Sequence, residues 1–181
     1  VEREGDPLQL APMSSTTLQL VIGDALAAMV TQLRGLRRED FALFHPGGAL
    51  GRRLLTLVRD VMGGPDQLPV VRRGVPVKEA LFAITSKNYG ATCVVDERGG
   101  LIGIFTDGDL RRLMERRGAE AFRVPIEEAM TPNPRTIAPD SLAAEAVRVM
   151  ERMEISVLVA VEDGRPAGMV HIHELLKAGV A

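Results

Sequence analysis

A single cysteine in 181 residues rules out a disulfide within the chain. Cys93 stands in an apolar run, Thr92-Cys93-Val94-Val95, that reads as buried strand rather than reactive thiol, and a reducing, cytoplasmic setting is expected. Charge of one sign is also lacking: 22 Lys and Arg against 24 Asp and Glu leave a formal net charge of -2. With no basic block to gather polyanions, nucleic acid and anionic membrane are excluded as partners. No hydrophobic run reads as a bilayer span, and no signal-peptide core opens the chain. The first residue is Val1 rather than methionine, and the polar start Glu2-Arg3-Glu4-Gly5-Asp6 is expected to continue a longer protein. Apolar residues, by contrast, make up 46% of the chain, ample for one large domain or two smaller ones.

The opening part reads as helical, without a strand. Ser14, Ser15, Thr16 and Thr17 offer N-cap hydroxyls, and Leu18, Ile22, Ala25, Met29 and Leu33 follow at helical spacing up to Gly35. A short second helix is expected from Arg37 or Arg38, ending at His45 because the residue before Pro46 disfavours the helical region. A third is expected over 50–61. Between them, His45-Pro46-Gly47-Gly48-Ala49-Leu50-Gly51-Arg52 holds an imidazole and a guanidinium on glycine-rich backbone that a ligand can approach closely. Arg52 has three readings: a phosphate contact, a cap on the helix that follows, or an exposed ion pair.

From Val58 onward a βαββα pattern occurs twice, at a spacing of about 65 to 68 residues. In the first copy Val61-Met62 leads into strand 69–71, helix 77–87, strand 92–95, a turn over 96–100, strand 101–105 and helix 109–117. In the second, Ala129-Met130 and the loop Thr131-Pro132-Asn133-Pro134 lead into strand 136–137, helix 142–153, strand 156–161, a turn over 162–165, strand 167–171 and helix 174–178. The fold class is mixed α/β, and two copies each too small for a full core are expected to pack face to face.

Over this half the chain resembles the tandem CBS (cystathionine-β-synthase type) regulatory pair. The carrying residues are Val61-Met62, Ala129-Met130, the strand glycines Gly103 and Gly168, and Thr106-Asp107-Gly108-Asp109-Leu110. The resemblance implies that Thr106, Asp107 and Asp109 contact a nucleotide or sugar nucleotide in the cleft between the copies. On the residues alone, Thr-x-x-Asp at a helix start is equally a capping box that satisfies backbone donors and nothing else. The corresponding segment of the second copy is His171-Ile172-His173-Glu174, so one site is expected rather than two. No metal is expected at His171 and His173, since no third ligand stands nearby in sequence, nor at Asp107 and Asp109.

With that pair in view, Ala11-Pro12-Met13-Ser14-Ser15-Thr16-Thr17, Gly23-Asp24-Ala25-Leu26-Ala27 and the stretch 40–52 resemble the end of a sugar-isomerase (SIS) domain, and the whole is similar to the arabinose-5-phosphate isomerase family. The domains expected are 1–57, a helical remnant of a Rossmann-like SIS domain; 58–123, the first CBS domain; and 124–181, the second. The resemblance implies aldose-ketose interconversion of D-ribulose 5-phosphate and D-arabinose 5-phosphate, for lipopolysaccharide synthesis, in the parent protein. It implies a catalytic role for His45 and sugar-phosphate contacts from Ser14, Ser15 and Thr16, where an N-cap cluster is the competing reading. The resemblance implies that the lysine and glutamates for base chemistry and for holding an enediol lie upstream of Val1, so this piece alone is expected to be inactive, with no cofactor required. A homodimer or homotetramer is expected. The alternatives are a free-standing nucleotide sensor and a purely structural oligomerisation block. Leu18, Ile22 and Met29, without a sheet to cover them, should seek another chain or leave the opening segment mobile.

Overall fold

The computed structural model describes residues 1–37, 40 and 48–181. The chain divides into two compact units, Val1–Phe44 and His45–Ala181.

In the first unit, helix α1 spans Ser14–Leu33. Its N-cap is Met13, which offers no side-chain bond, so the expected hydroxyl cap is corrected. The Glu4 carboxylate caps the helix instead, accepting the amides of Ser14 at 2.8 Å and Ser15 at 3.1 Å. Thr16 and Thr17 are already wound into the first turn, and their hydroxyls donate back to the Met13 carbonyl at 3.1 and 2.8 Å. Leu18, Ile22, Met29 and Leu33 are all exposed, and no residue of α1 is buried. By length and composition α1 could cross a membrane, which corrects the expectation that no stretch qualifies; Asp24 stands within it. The short helix expected to end at His45 lies outside the described residues, as does His45 itself.

The second unit begins with α2 (Ala49–Leu55) and α3 (Val58–Val61), where one helix was expected. Thr56 and Leu57 are extended because they pair with a distant segment: Val58 N–H donates to the Ser141 carbonyl at 2.9 Å, and Thr56 accepts from Ala143 N–H at 2.8 Å. A 3-10 turn, Pro65–Gln67, precedes β1 (Val70–Arg72). Then follow α4 (Val77–Lys87), β2 (Ala91–Val95), β3 (Leu101–Thr106) and α5 (Asp107–Arg117). The second copy runs α6 (Ile126–Ala129), β4 (Thr131–Pro132), β5 (Thr136–Ile137), α7 (Ala143–Met153), β6 (Val157–Glu162), β7 (Arg165–His171) and α8 (Ile172–Lys177).

The two copies repeat one plan. In each, a parallel pair (β1 with β2, β5 with β6) continues into an antiparallel hairpin (β2 with β3, β6 with β7). The register slips at matching points, Val94/Val95 and Ala160/Val161. Helix α4 buries Val77, Ala80 and Ile84, and α7 buries Ala143, Ala146, Val147 and Met150, each set on one helical face. The central strands are apolar on both sides because each sheet is covered twice. Val94 faces the helices of its own copy, whereas Ala91 and Cys93 meet Val159 and Met169 of the other sheet.

The copies also exchange their leading segments. Val58 on α3 belongs to the core formed by α7, α8, β6 and β7, while Ile126 on α6 completes the core of the first copy. Strand β4, read from sequence as loop, pairs with β3 through Gly103–Pro132 and Ile104–Thr131. Its counterpart in the first copy, Gly63, exchanges two hydrogen bonds with Met169, at 2.9 and 3.2 Å. The strand glycines permit this crossing. A Cβ at Gly103 would overlap the Met130 thioether, and one at Gly168 would stand 2.6 Å from both the Met62 sulfur and the Gly63 carbonyl oxygen. Each copy's leading methionine therefore lies on the other copy's glycine.

Candidate functional site

The crossed arrangement brings the start of α5 and the start of α8 to one cleft of about 1220 Å³, lined by both copies. At one end, Thr106 caps α5. Its hydroxyl accepts the Asp109 amide at 3.1 Å and donates to Asp109 Oδ2 at 2.7 Å, and the same oxygen accepts the Thr106 amide at 2.9 Å. The reciprocal capping box is therefore real. It does not exhaust the carboxylate, because Asp109 Oδ1 receives Arg112 Nη2 at 2.6 Å and the Thr131 hydroxyl at 3.4 Å. Asp109 is only 8% exposed, so it acts from below the surface, fixing a guanidinium that is itself largely open to the cleft. Asp107 is exposed beside Gly90, whose carbonyl accepts the Asp107 amide at 3.0 Å. Asn133 and Arg135 line the cleft as well.

At the other end His171 takes the role of Thr106. Its Nδ1 accepts the His173 amide at 3.1 Å, and its own amide donates to Glu174 Oε2 at 3.1 Å. An accepting Nδ1 leaves the proton of the neutral ring on Nε2, which makes that nitrogen a donor. Burial holds the His171 pKa below its ordinary value; the Glu174 carboxylate pulls the other way and His173 adds to the depression. The two imidazoles lie with centroids 4.7 Å apart, tilted by 39°. Among the described residues no group of three or more His, Cys, Asp or Glu is arranged to hold a metal. Tyr89, almost fully buried, lines the cleft, and burial followed by the Glu174 charge raises its phenol.

The structure thus gathers Thr106, Asp107 and Asp109 at one site. Ser14, Ser15 and Thr16 lie in the other unit, with the Glu4 carboxylate on the first two amides. Arg52 lies against Gly179 at the C-terminal turn. Sequence reasoning missed Arg112, Thr131, Arg135 and Tyr89. Arg112 could have been found, since an arginine three residues after a helix-start acid is a paired position.

The sequence profile of the CBS domain matches residues 58–116 and 126–181. This chain belongs to the CBS-domain family. Its CBS pair is similar in structure to a CBS-domain protein, ATU1752, from Agrobacterium tumefaciens, with a TM-score of 0.62 and 28% identity over 68% of this chain and 92% of that one. It is also similar to the CBS domain pair of protein MJ0100, solved in complex with 5'-methylthioadenosine and S-adenosyl-L-methionine, with a TM-score of 0.59 and 28% identity over 67% of this chain and 94% of that one. In sequence the chain is 51% identical over 181 residues to arabinose 5-phosphate isomerase KdsD of Pseudomonas aeruginosa, and 44% identical over 180 residues to KdsD of Escherichia coli K12. Each match covers 99% of this chain and 55% of the relative, so the chain spans about half the length of those proteins.

Proposed function

We propose that the CBS pair binds a nucleotide or sugar-nucleotide effector in the cleft, as the regulatory and assembly part of an arabinose-5-phosphate isomerase. The observation that carries the reading is the Thr106–Asp109 end of the cleft: a helix start with its cap complete and, held by Asp109, a mostly exposed guanidinium that lines the cleft. A ribose hydroxyl and a phosphate have complementary partners there in Asp107 and Arg112. The nucleoside ligands carried by MJ0100 support the ligand class. Among the described residues, four carboxylates (Asp107, Asp109, Glu154, Glu174) and three cations (Arg112, Arg135, Lys177) line the cleft, which favours a ligand of modest charge over a triphosphate.

In the whole enzyme, His45 transfers a proton during interconversion of D-ribulose 5-phosphate and D-arabinose 5-phosphate, and Ser14, Ser15 and Thr16 hold the sugar phosphate. The Glu4 carboxylate now on the Ser14 and Ser15 amides would have to be displaced by that phosphate. The exposed apolar residues of α1 then belong against the rest of a sugar-isomerase domain in a cytoplasmic homo-oligomer. Titration calorimetry with AMP, CMP, ATP and S-adenosylmethionine tests the effector reading. At least one binds, and Thr106→Ala and Arg112→Ala each weaken it by about tenfold, the scale of a charge-assisted hydrogen bond. No binding at millimolar concentration by a stable dimer or tetramer would leave the pair as an assembly block. Undiminished turnover by His45→Ala in the whole enzyme would remove His45 from the mechanism.

A further inference from the structure

Helix α8 reaches from the cleft to a second, distant segment. Its N-terminal cap, His171 with Glu174, lines the cleft, as do His173 and Lys177. Its other end closes in a left-handed turn at Gly179, φ +68°, with Gly179 N–H donating to the Leu176 carbonyl at 3.0 Å and Val180 N–H to that of Leu175 at 3.1 Å. The Val180 carbonyl then accepts Arg53 Nε at 3.0 Å, across 127 positions of sequence. Arg53 sits on α2, and its neighbour Arg52 lies so close to Gly179 that a Cβ there would be 2.7 Å from the guanidinium Nε. Leu175 and Val180 are both 0% exposed in the same core cluster. That packing makes helix and turn one stiff piece, about 9 Å long in its helical part at 1.5 Å per residue.

We propose that α8 is a tie-rod linking the cleft to α2, the helix that follows His45 in sequence, so that effector binding and the position of α2 are coupled. The proposal rests on the effector reading above and adds the route by which occupancy leaves the cleft. A ligand that contacts His171 Nε2–H, His173 or Lys177 favours one setting of α8 over another. Because Leu175 and Val180 are locked in one core, the shift is carried to the Val180 carbonyl and hence to Arg53. Linkage makes the effect reciprocal: whatever the ligand does to α2, a change in α2 does to ligand affinity by the same factor.

The test uses the whole 181-residue chain and the tightest binder among AMP, CMP, ATP and S-adenosylmethionine. Arg53→Ala removes the bond to Val180. Arg53→Met keeps the aliphatic stem without the donor, in case the smaller side chain loosens the fold. Both variants are expected to change the dissociation constant by about fivefold or more, the lower end of ordinary coupling. Arg98→Ala, in the exposed turn between β2 and β3, should leave it unchanged. In parallel, amide hydrogen exchange at residues 49–55 and 178–181 should change when ligand is added to the wild-type chain. If ligand binds but the Arg53 variants change the constant by less than about fivefold, or exchange at 49–55 is unmoved, the tie-rod is wrong and the effector reading stands. If none of the four binds, both fall together.

Discussion

Replacing Gly168 with alanine tests the crossing of the two CBS copies more sharply than any change in either core. The added methyl would stand 2.6 Å from the Gly63 carbonyl oxygen and 2.6 Å from the Met62 sulfur, where ordinary contact begins near 3.4 Å. The sulfur can swing aside, since methionine has several rotatable bonds. The carbonyl cannot, because it is tied to the strand that carries Gly168: Gly63 accepts from Met169 N–H at 3.2 Å and donates to the Met169 carbonyl at 2.9 Å. Relief therefore means breaking that bridge, at about 1 kcal/mol per hydrogen bond, on top of about 1–3 kcal/mol for overpacking. The lower entropy of an unfolded alanine returns about 0.5 kcal/mol, leaving a net loss of about 2.5–4.5 kcal/mol. Gly103→Ala meets chiefly the flexible Met130 thioether, with the Thr131 carbonyl oxygen at 3.1 Å, and should cost about half as much. Adding Met62→Ala to Gly168→Ala should rescue little, because the rigid contact is the carbonyl. Urea unfolding with an unchanged m-value gives these differences directly. A Gly168→Ala protein within about 0.5 kcal/mol of wild type, or one more stable than Gly103→Ala, would refute the account of how the copies lock.

Glu154 ends α7 in the left-handed region at φ +53°, as Asn88 ends α4 at +58°. Glycine is free of the Cβ strain there and asparagine nearly so, so Glu154→Gly should stabilise the chain by about 0.5–1 kcal/mol and Asn88→Gly by less; equal effects in thermal unfolding would contradict this. The depressed His171 pKa gives a pH signature. The folded ring gives up its proton at a lower pH than the unfolded chain, which titrates near 6.5, so its contribution is present above about pH 6.5 and is lost as the pH falls. His171→Thr keeps a cap without a proton, and wild type should therefore lose melting temperature relative to this variant between pH 7.5 and pH 5. A constant difference across that range would show that His171 does not titrate out of register with the unfolded chain.

How much of this could be read from the sequence follows from the range of each interaction. The elements of the duplicated half were legible because their signals are local. Apolar spacing marks α4 and α7, and the Asp/Gly-rich turns at 96–100 and 162–165 mark the hairpins, so observed boundaries differ from expectation by only one or two residues. Thr106 and Asp109 were visible for the same reason, since a capping box is a contact between residues three apart. What the sequence hid is long-range. Thr56 and Leu57 look helical by composition, yet Ser141 and Ala143 pull them into extended pairing. Thr131-Pro132 looks like loop, yet it becomes a strand because β3 offers it an edge. Glu4 caps α1 from ten residues away, where no local motif points. Gly103 and Gly168 could be singled out as a pattern, but their physical reason, a methionine arriving from the opposite copy, exists only after the chain has crossed over itself. The cleft inherits this division. Its cap was legible as a motif, whereas its shape, and the meeting of the Thr106 end with the His171 end, depend on an exchange of segments that no window of sequence contains.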